Sequence, residues 1–281
     1  MKFISFTHDD QAGFGALVKE GVVDLGKRLK MANLGQALRE AGVDRLRDMA
    51  ENHGADLGLD AIQGFRPVVA DPSKIFCAGL NYDEHVKETN RQRTERPTIF
   101  LRLAESQIGH LQPMLVPKES TRLDYEGEIA VVVGRGGRRI PETKAHEHLA
   151  GYACYNDGSV RDWQMHTSQW IPGKNFAATG AFGPYLVDTT EIGENDVLKI
   201  ETRLNGQVMQ QATTAMLIFS IPELVSYVSS FIELSPGDVI VTGTPGGVGA
   251  KRQPPVFMKA GDTVEVEVER LGVLRNPIQA E

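Results

Sequence analysis

The sequence predicts an α+β fold that is mainly β, with a small N-terminal α+β unit ahead of a larger, strand-rich region. Three observations predict it. Short apolar runs closed by glycine or turn residues recur from Lys74 onward, as strands do. Thr263 to Val268 alternates valine with polar residues, which sets the valines on one face of a strand. Helical stretches are few, which argues against a doubly wound sheet.

The elements follow in chain order. Phe3 to Phe6 reads as a strand. Ala16-Leu17-Val18 and Val22-Val23-Asp24-Leu25 read as two more, joined by the turn Lys19-Glu20-Gly21. Leu34 to Leu57 carries apolar residues at helical spacing: Leu34, Ala37, Leu38, Leu46 and Met49. This region lacks clustered reactive groups and is expected to form a small domain over 1–72. The remainder, 73–281, is expected to form the larger, strand-rich domain. There Ile75 to Gly79, Ile129 to Val133 and Val239 to Thr242 read as strands. The unbroken apolar run Ile129 to Val133 implies burial on both faces. Asn81 to Thr89 and Ile221 to Ile232 read as helices, and Pro222 suits a first helical turn. Internal repeats and low-complexity segments are absent.

Composition narrows the function. Of 281 residues, 41% are hydrophobic and 24% charged, close to the globular average, so a normal buried core is expected. Thirty basic and 37 acidic side chains give a net charge of −7, which does not suit a nucleic-acid backbone. No apolar run approaches the ~20 residues that span a bilayer, and the N-terminus turns polar too early for a signal peptide. A cytoplasmic protein is the expectation. Cys77 and Cys154 both sit in apolar settings and read as buried thiols in a reducing compartment.

Three segments could carry chemistry. Asp124-Tyr125-Glu126-Gly127-Glu128 runs straight into an apolar strand. Residues two apart on a strand share a face, so Glu126 and Glu128 aim together, with Asp124 beside them if the strand reaches that far. Such carboxylates repel unless a cation compensates them, which suggests a hard-cation site built from oxygens. A solvated strand end with alternating acids fits the spacing as well. Gly127 favours the first reading, since a strand glycine often marks close approach of a ligand or another backbone. Asp157, within Asn156-Asp157-Gly158, could add a third carboxylate or belong to an ordinary turn. His85 and Glu88 are three apart, hence neighbours on a helix. They form either a surface ion pair or an imidazole oriented as a general base. Nucleophile elbows, HExxH motifs and phosphate loops are absent.

Five ordered blocks resemble the fumarylacetoacetate hydrolase family over about Lys74 to Pro277. They are KIFCAGLNYDEHVKE, DYEGEIAVVVG, GYACYNDGSVRDWQ, GKNFAATGAFGP and TGTPGGVGAKRQPPVFMKAGD. The similarity is greatest to smaller, acylpyruvase-like members with an N-terminal extension. The resemblance implies a mixed β-roll, a homodimer, and one Mg²⁺ or Mn²⁺ held by Glu126, Glu128 and Asp157. It makes His85 and Glu88 a water-activating dyad on a mobile lid. Lys174 and Gln164 then face the substrate, and Thr244 holds its carboxylate. Arg102 stands where many members have lysine. It is expected either to clamp a substrate carboxylate bidentately or to pair with a neighbouring acid. The implied activity is metal-dependent hydrolysis of a C–C bond in a 2,4-dioxo acid, of acylpyruvate, fumarylpyruvate or sugar-derived type. Oxaloacetate decarboxylation, or isomerisation of an unsaturated 2-oxo diacid, is the alternative.

Overall fold

The strand Gly127–Val133 lies at the centre of the fold, and its side chains show why. In the computed structural model, which describes residues 1–281, Ile129, Val131 and Val133 enter one buried cluster while Ala130 and Val132 enter another. All seven residues of the strand are buried. Alternation at period two thus feeds two cores from one apolar run.

Neighbouring strands order around it as Gly21–Val23, Gln11–Val18, Lys2–His8, Gly180–Asp188, Leu149–Asp157, Gly127–Val133, Val239–Val241, Ile75–Gly79 and Thr98–Arg102. A second sheet of five strands includes Lys199–Leu204, Gln207–Thr213 and Thr263–Val268. Val264, Val266 and Val268 pack with Ile129 and Val131 between the two sheets. The polar partners on Thr263–Val268 point outward, as the alternation predicts. Short helices cover the other face of the large sheet: Leu34, Ala37, Leu38 and Leu46 join Cys77, Ala130 and Val132 in one cluster. The architecture is therefore the strand-rich α+β arrangement expected.

Most buried residues of 1–72 share one cluster with the large sheet, and Ile4, Phe6 and Val22 form a small one of their own. Lys2–His8 pairs antiparallel with Gly180–Asp188, Lys2 lying opposite Val187, so the N-terminal strands extend the large sheet. Two local expectations change. The strand through Val22 and Val23 stops at Val23, because the Asp24 side chain accepts from Lys27 N–H at 2.9 Å and caps a helix, Leu25–Leu29. The helical stretch from Leu34 breaks into Leu34–Glu40 and Val43–Glu51 at Gly42, whose φ of 77° suits the residue just past a helix C-terminus. Ile221–Phe231 forms as expected, its first turn closed by a capping box between Ser220 and Glu223. Both cysteines are free and buried. No helix is long and apolar enough to cross a membrane.

Candidate active site

Gly127–Val133 and Leu149–Asp157 are antiparallel neighbours, with Gly127 opposite Asn156 and Glu128 opposite Tyr155. Asp157 therefore emerges beside Glu126, and its N–H donates to the Glu126 carbonyl at 2.9 Å. Carboxylate oxygens of Glu126, Glu128 and Asp157 lie within 4.8 Å of one another, all three residues buried. Asp124 does not join them. It sits on a separate short ladder, Leu123–Asp124 against Ser159–Val160. Its carboxylate accepts from Gly249 N–H (2.8 Å) and Ala250 N–H (2.9 Å) and pairs with Arg161. Gly127 is explained by the second sheet rather than by a ligand: a Cβ there would stand 1.9 Å from Thr202 Oγ1.

Charge at the triad is unevenly compensated. The Lys174 ammonium lies 2.6 Å from both Glu126 and Asp157. Arg161 adds a contact to Glu126 and Arg102 one to Asp157, each at 2.6 Å. Burial alone would raise Glu126, but Lys174 and Arg161 more than offset it and bring its pKa down to about 2. Lys174 likewise keeps its proton: burial opposes the charge, and Asp157 and Glu126 outweigh burial. Glu128 has no cationic partner. Only Gly243 N–H reaches it, at 2.6 Å. Gly243 can do so because it adopts φ +100° and packs against Asn81, where a Cβ would meet Asn81 Cβ at 2.7 Å. Burial first, then repulsion from Asp157 and Glu126, hold the Glu128 carboxyl well above its ordinary range. Three converging oxygen donors with one carboxylate uncompensated fit a hard divalent cation such as Mg²⁺ or Mn²⁺.

The helix Asp83–Glu88 sets His85 against the same cavity, whose volume is ≈ 240 Å³ and whose walls include Glu126, Glu128, Gln164, Lys174 and Thr244. His85 Nδ1 lies 2.7 Å from Glu88 Oε1. In a neutral imidazole, a carboxylate at this position favours the tautomer with its proton on Nδ1. Glu88 Oε2 in turn accepts from Gly247 N–H at 2.9 Å, pinning the helix to the opposite loop. Lys174 ends the short helix Ile171–Lys174, which packs so closely on Arg161–Gln164 that a Cβ at Gly173 would sit 2.3 Å from Gln164 N. Gln164 accepts from Arg161 at 2.9 Å. The Thr244 hydroxyl donates to Gly127 O (3.0 Å) and accepts from Gln210 Nε2 (2.8 Å), so it is held in place from both sides.

One expected substrate clamp is corrected. Arg102 does not line the cavity. Its fully buried guanidinium is taken up by Asp157, by Gly158 O and Thr179 Oγ1 at 2.9 Å each, and more distantly by Ser106. With both terminal nitrogens engaged by neighbours and only the buried Nε unpartnered, it orients Asp157. Sequence reasoning also missed Arg161, which bridges Asp124 and Glu126 and lines the cavity. The signal available was its place four residues beyond Asp157, at the start of the helix bearing Gln164.

The family described as "Fumarylacetoacetate (FAA) hydrolase C-terminal" matches residues 74–279. The chain belongs to this family. The mitochondrial oxaloacetate tautomerase FAHD2A of Bos taurus is 43% identical over 216 residues, which cover 76% of this chain and 69% of that one. Fumarylacetoacetate hydrolase from Exiguobacterium antarcticum superimposes with a TM-score of 0.84 at 30% identity over 100% of both chains. The 5-carboxymethyl-2-hydroxymuconate delta-isomerase of Mycobacterium smegmatis does so with a TM-score of 0.78 at 28% identity, again over 100% of both. The similar proteins are thus enzymes that include a hydrolase, an isomerase and a tautomerase, and the fold alone does not choose among them.

Proposed function

We propose that this chain is a divalent-metal-dependent enzyme acting on a small 2-oxo acid through its enolate, and that it hydrolyses a C–C bond in a 2,4-dioxo acid. The observation that carries this reading is that His85, paired with Glu88, lines one cavity with Glu126 and Glu128, whose carboxylates stand within 4.8 Å of that of Asp157. When bound, the cation would supply Lewis-acid stabilisation of the negative charge that develops on the 2-oxo group. The chain's own residues do the rest. His85 Nε2 takes a proton from water, and Glu88 stabilises the imidazolium so formed. The resulting hydroxide attacks the C4 carbonyl, and the C3–C4 bond breaks with pyruvate enolate as the leaving group. Lys174 keeps a fixed positive charge beside Glu126 and Asp157, so the cavity wall is prearranged for a developing anion. Gln164 and Thr244 line the cavity; the Gln164 amide donors are free for the substrate, and the reading has the Thr244 hydroxyl turn from Gly127 O to the substrate carboxylate on binding.

Keto–enol tautomerisation of a 2-oxo diacid is a second reading, favoured by the 43% identity to a relative of that name. It uses the same base on a C3 proton and no water. The test is a panel of acetylpyruvate, fumarylpyruvate and enol-oxaloacetate with Mg²⁺ or Mn²⁺, with products identified by NMR. Pyruvate and a carboxylic acid from a dioxo acid support hydrolysis. Enol-to-keto conversion without cleavage supports the second reading. As part of the same proposal the chain works as a homodimer; exposed Leu101, Leu103 and Ile171, tied together through Asn175, suit a subunit contact.

A further inference from the structure

We infer that Arg91 and Lys251 form a subsite for a second carboxylate, so that the enzyme selects 2-oxo diacids over 2-oxo monoacids. The inference rests on the 2-oxo acid reading above and adds to it which acids are taken. Both side chains line the same cavity as Glu126 and Glu128, and both are exposed residues at its rim. They come from different elements. Arg91 follows the helix that carries His85, and Lys251 ends the 3₁₀ turn Gly249–Lys251. Deeper in, Lys174 and Arg161 are paired with carboxylates at 2.6–2.8 Å, and only Arg161 Nη2 is left without a partner. Arg91 and Lys251 have no acidic partner, in a chain whose net charge is −7.

Charge balance makes those two cations meaningful. Four buried carboxylates, Asp124, Glu126, Glu128 and Asp157, face the buried cations Arg102 and Lys174 and the partly buried Arg161. A divalent ion turns that balance to one positive charge, and the 2-oxo acid's own carboxylate cancels it. The rim pair is then left over, and a second carboxylate on the substrate satisfies it. Arg91 is also prearranged. Its guanidinium stands 5.2 Å from the Trp170 ring centroid, and Trp170 is braced edge-on by Phe100 at 5.4 Å. A planar guanidinium held this way gives up little freedom when it takes a carboxylate bidentately. Because Arg91 is six residues past His85, a carboxylate held there also holds the His85 helix over the cavity. Diacid recognition and placement of the base become one event.

The test is calorimetric binding to the Mg²⁺-loaded protein of two matched pairs. These are 2-oxoglutarate against 2-oxopentanoate, and 2-oxoadipate against 2-oxohexanoate; in each pair a carboxylate is replaced by methyl. The parent should bind at least one diacid about ten-fold tighter than its partner, the scale of a charge-assisted hydrogen bond in a partly open site. Arg91→Gln and Lys251→Gln should each remove most of that preference by weakening the diacid. Equal affinity within both pairs in the parent, or variants that weaken diacid and monoacid alike, would overturn the inference. Turnover separates it from the reading beneath it. A diacid preference in a protein that transforms no 2-oxo acid leaves the subsite standing and removes the proposed reaction. Turnover without the preference does the reverse.

Discussion

Replacing Arg102 by Met tests whether this arginine holds the metal-ligand carboxylate or the substrate. Methionine fills much of the same volume and removes the charge and every donor. The parent guanidinium makes a 2.6 Å contact to Asp157, two 2.9 Å contacts to Gly158 O and Thr179 Oγ1, and none to solvent. Breaking a buried pair by deleting one partner costs about 3–5 kcal/mol, because the remaining charge and acceptors stay buried. For a chain of this size each kcal/mol moves Tm by roughly 2–3 °C, so a fall of roughly 6–15 °C is expected. Calorimetry of parent and variant in Mg²⁺ measures it. Divalent-cation affinity should fall as well, because Asp157 loses its orientation. The KM for substrate, measured at saturating metal, should stay within about two-fold. A variant that melts within 2 °C of the parent while KM rises by an order of magnitude would refute this assignment and restore Arg102 as a substrate clamp.

Four further outcomes follow from the same geometry. His85→Ala should lower cleavage of a 2,4-dioxo acid by ~10²–10⁴-fold in steady-state assays while sparing oxaloacetate decarboxylation, which needs no base there; a loss of less than a few-fold sinks the water-activating role. Without metal, Glu128 is a carboxyl whose folded pKa is raised, so its contribution to stability is full below the unfolded carboxylate range and is lost as pH rises through the folded value. Melting temperatures of chelated protein should therefore fall from pH 5 upward relative to Mg²⁺-loaded protein, and parallel curves would contradict the assignment. Hydrogen exchange should be fast over residues 83–93 without ligand and slow with oxalate, because Asp83, Glu84, Lys87 and the stretch 90–96 are exposed. The amides of Ile218 and Phe219 should stay protected in both states, since they donate to Asn81 O and Oδ1; protection of 83–93 equal to the core in both states would remove the lid.

What the sequence made legible was local. The run Ile129 to Val133 announced a doubly buried strand, and period two correctly aimed Glu126 and Glu128 together. The same rule overreached at Asp124, because the regular strand begins only at Gly127 and the ladder before it has its own partner. Asp157 looked like a turn residue, and nothing nearby distinguishes it. It joins the triad through pairing between strands whose register is set by apolar residues further along. Arg102 was ambiguous for a related reason: its partner lies 55 residues away in sequence and a few ångströms away in space. The N-terminal segment was legible as strands and helices. Its attachment was not, since opposing Lys2 and Val187 leave no local mark on either.

The central claim is that Glu126, Glu128 and Asp157 hold a divalent cation on which the chemistry depends. The direct measurement is the rate of pyruvate release from acetylpyruvate or fumarylpyruvate by exhaustively chelated protein, before and after adding Mg²⁺ or Mn²⁺. The account predicts no release above background in metal-free buffer, and full recovery on addition in the parent but not in Glu126→Ala. An undiminished rate in metal-free buffer would contradict it.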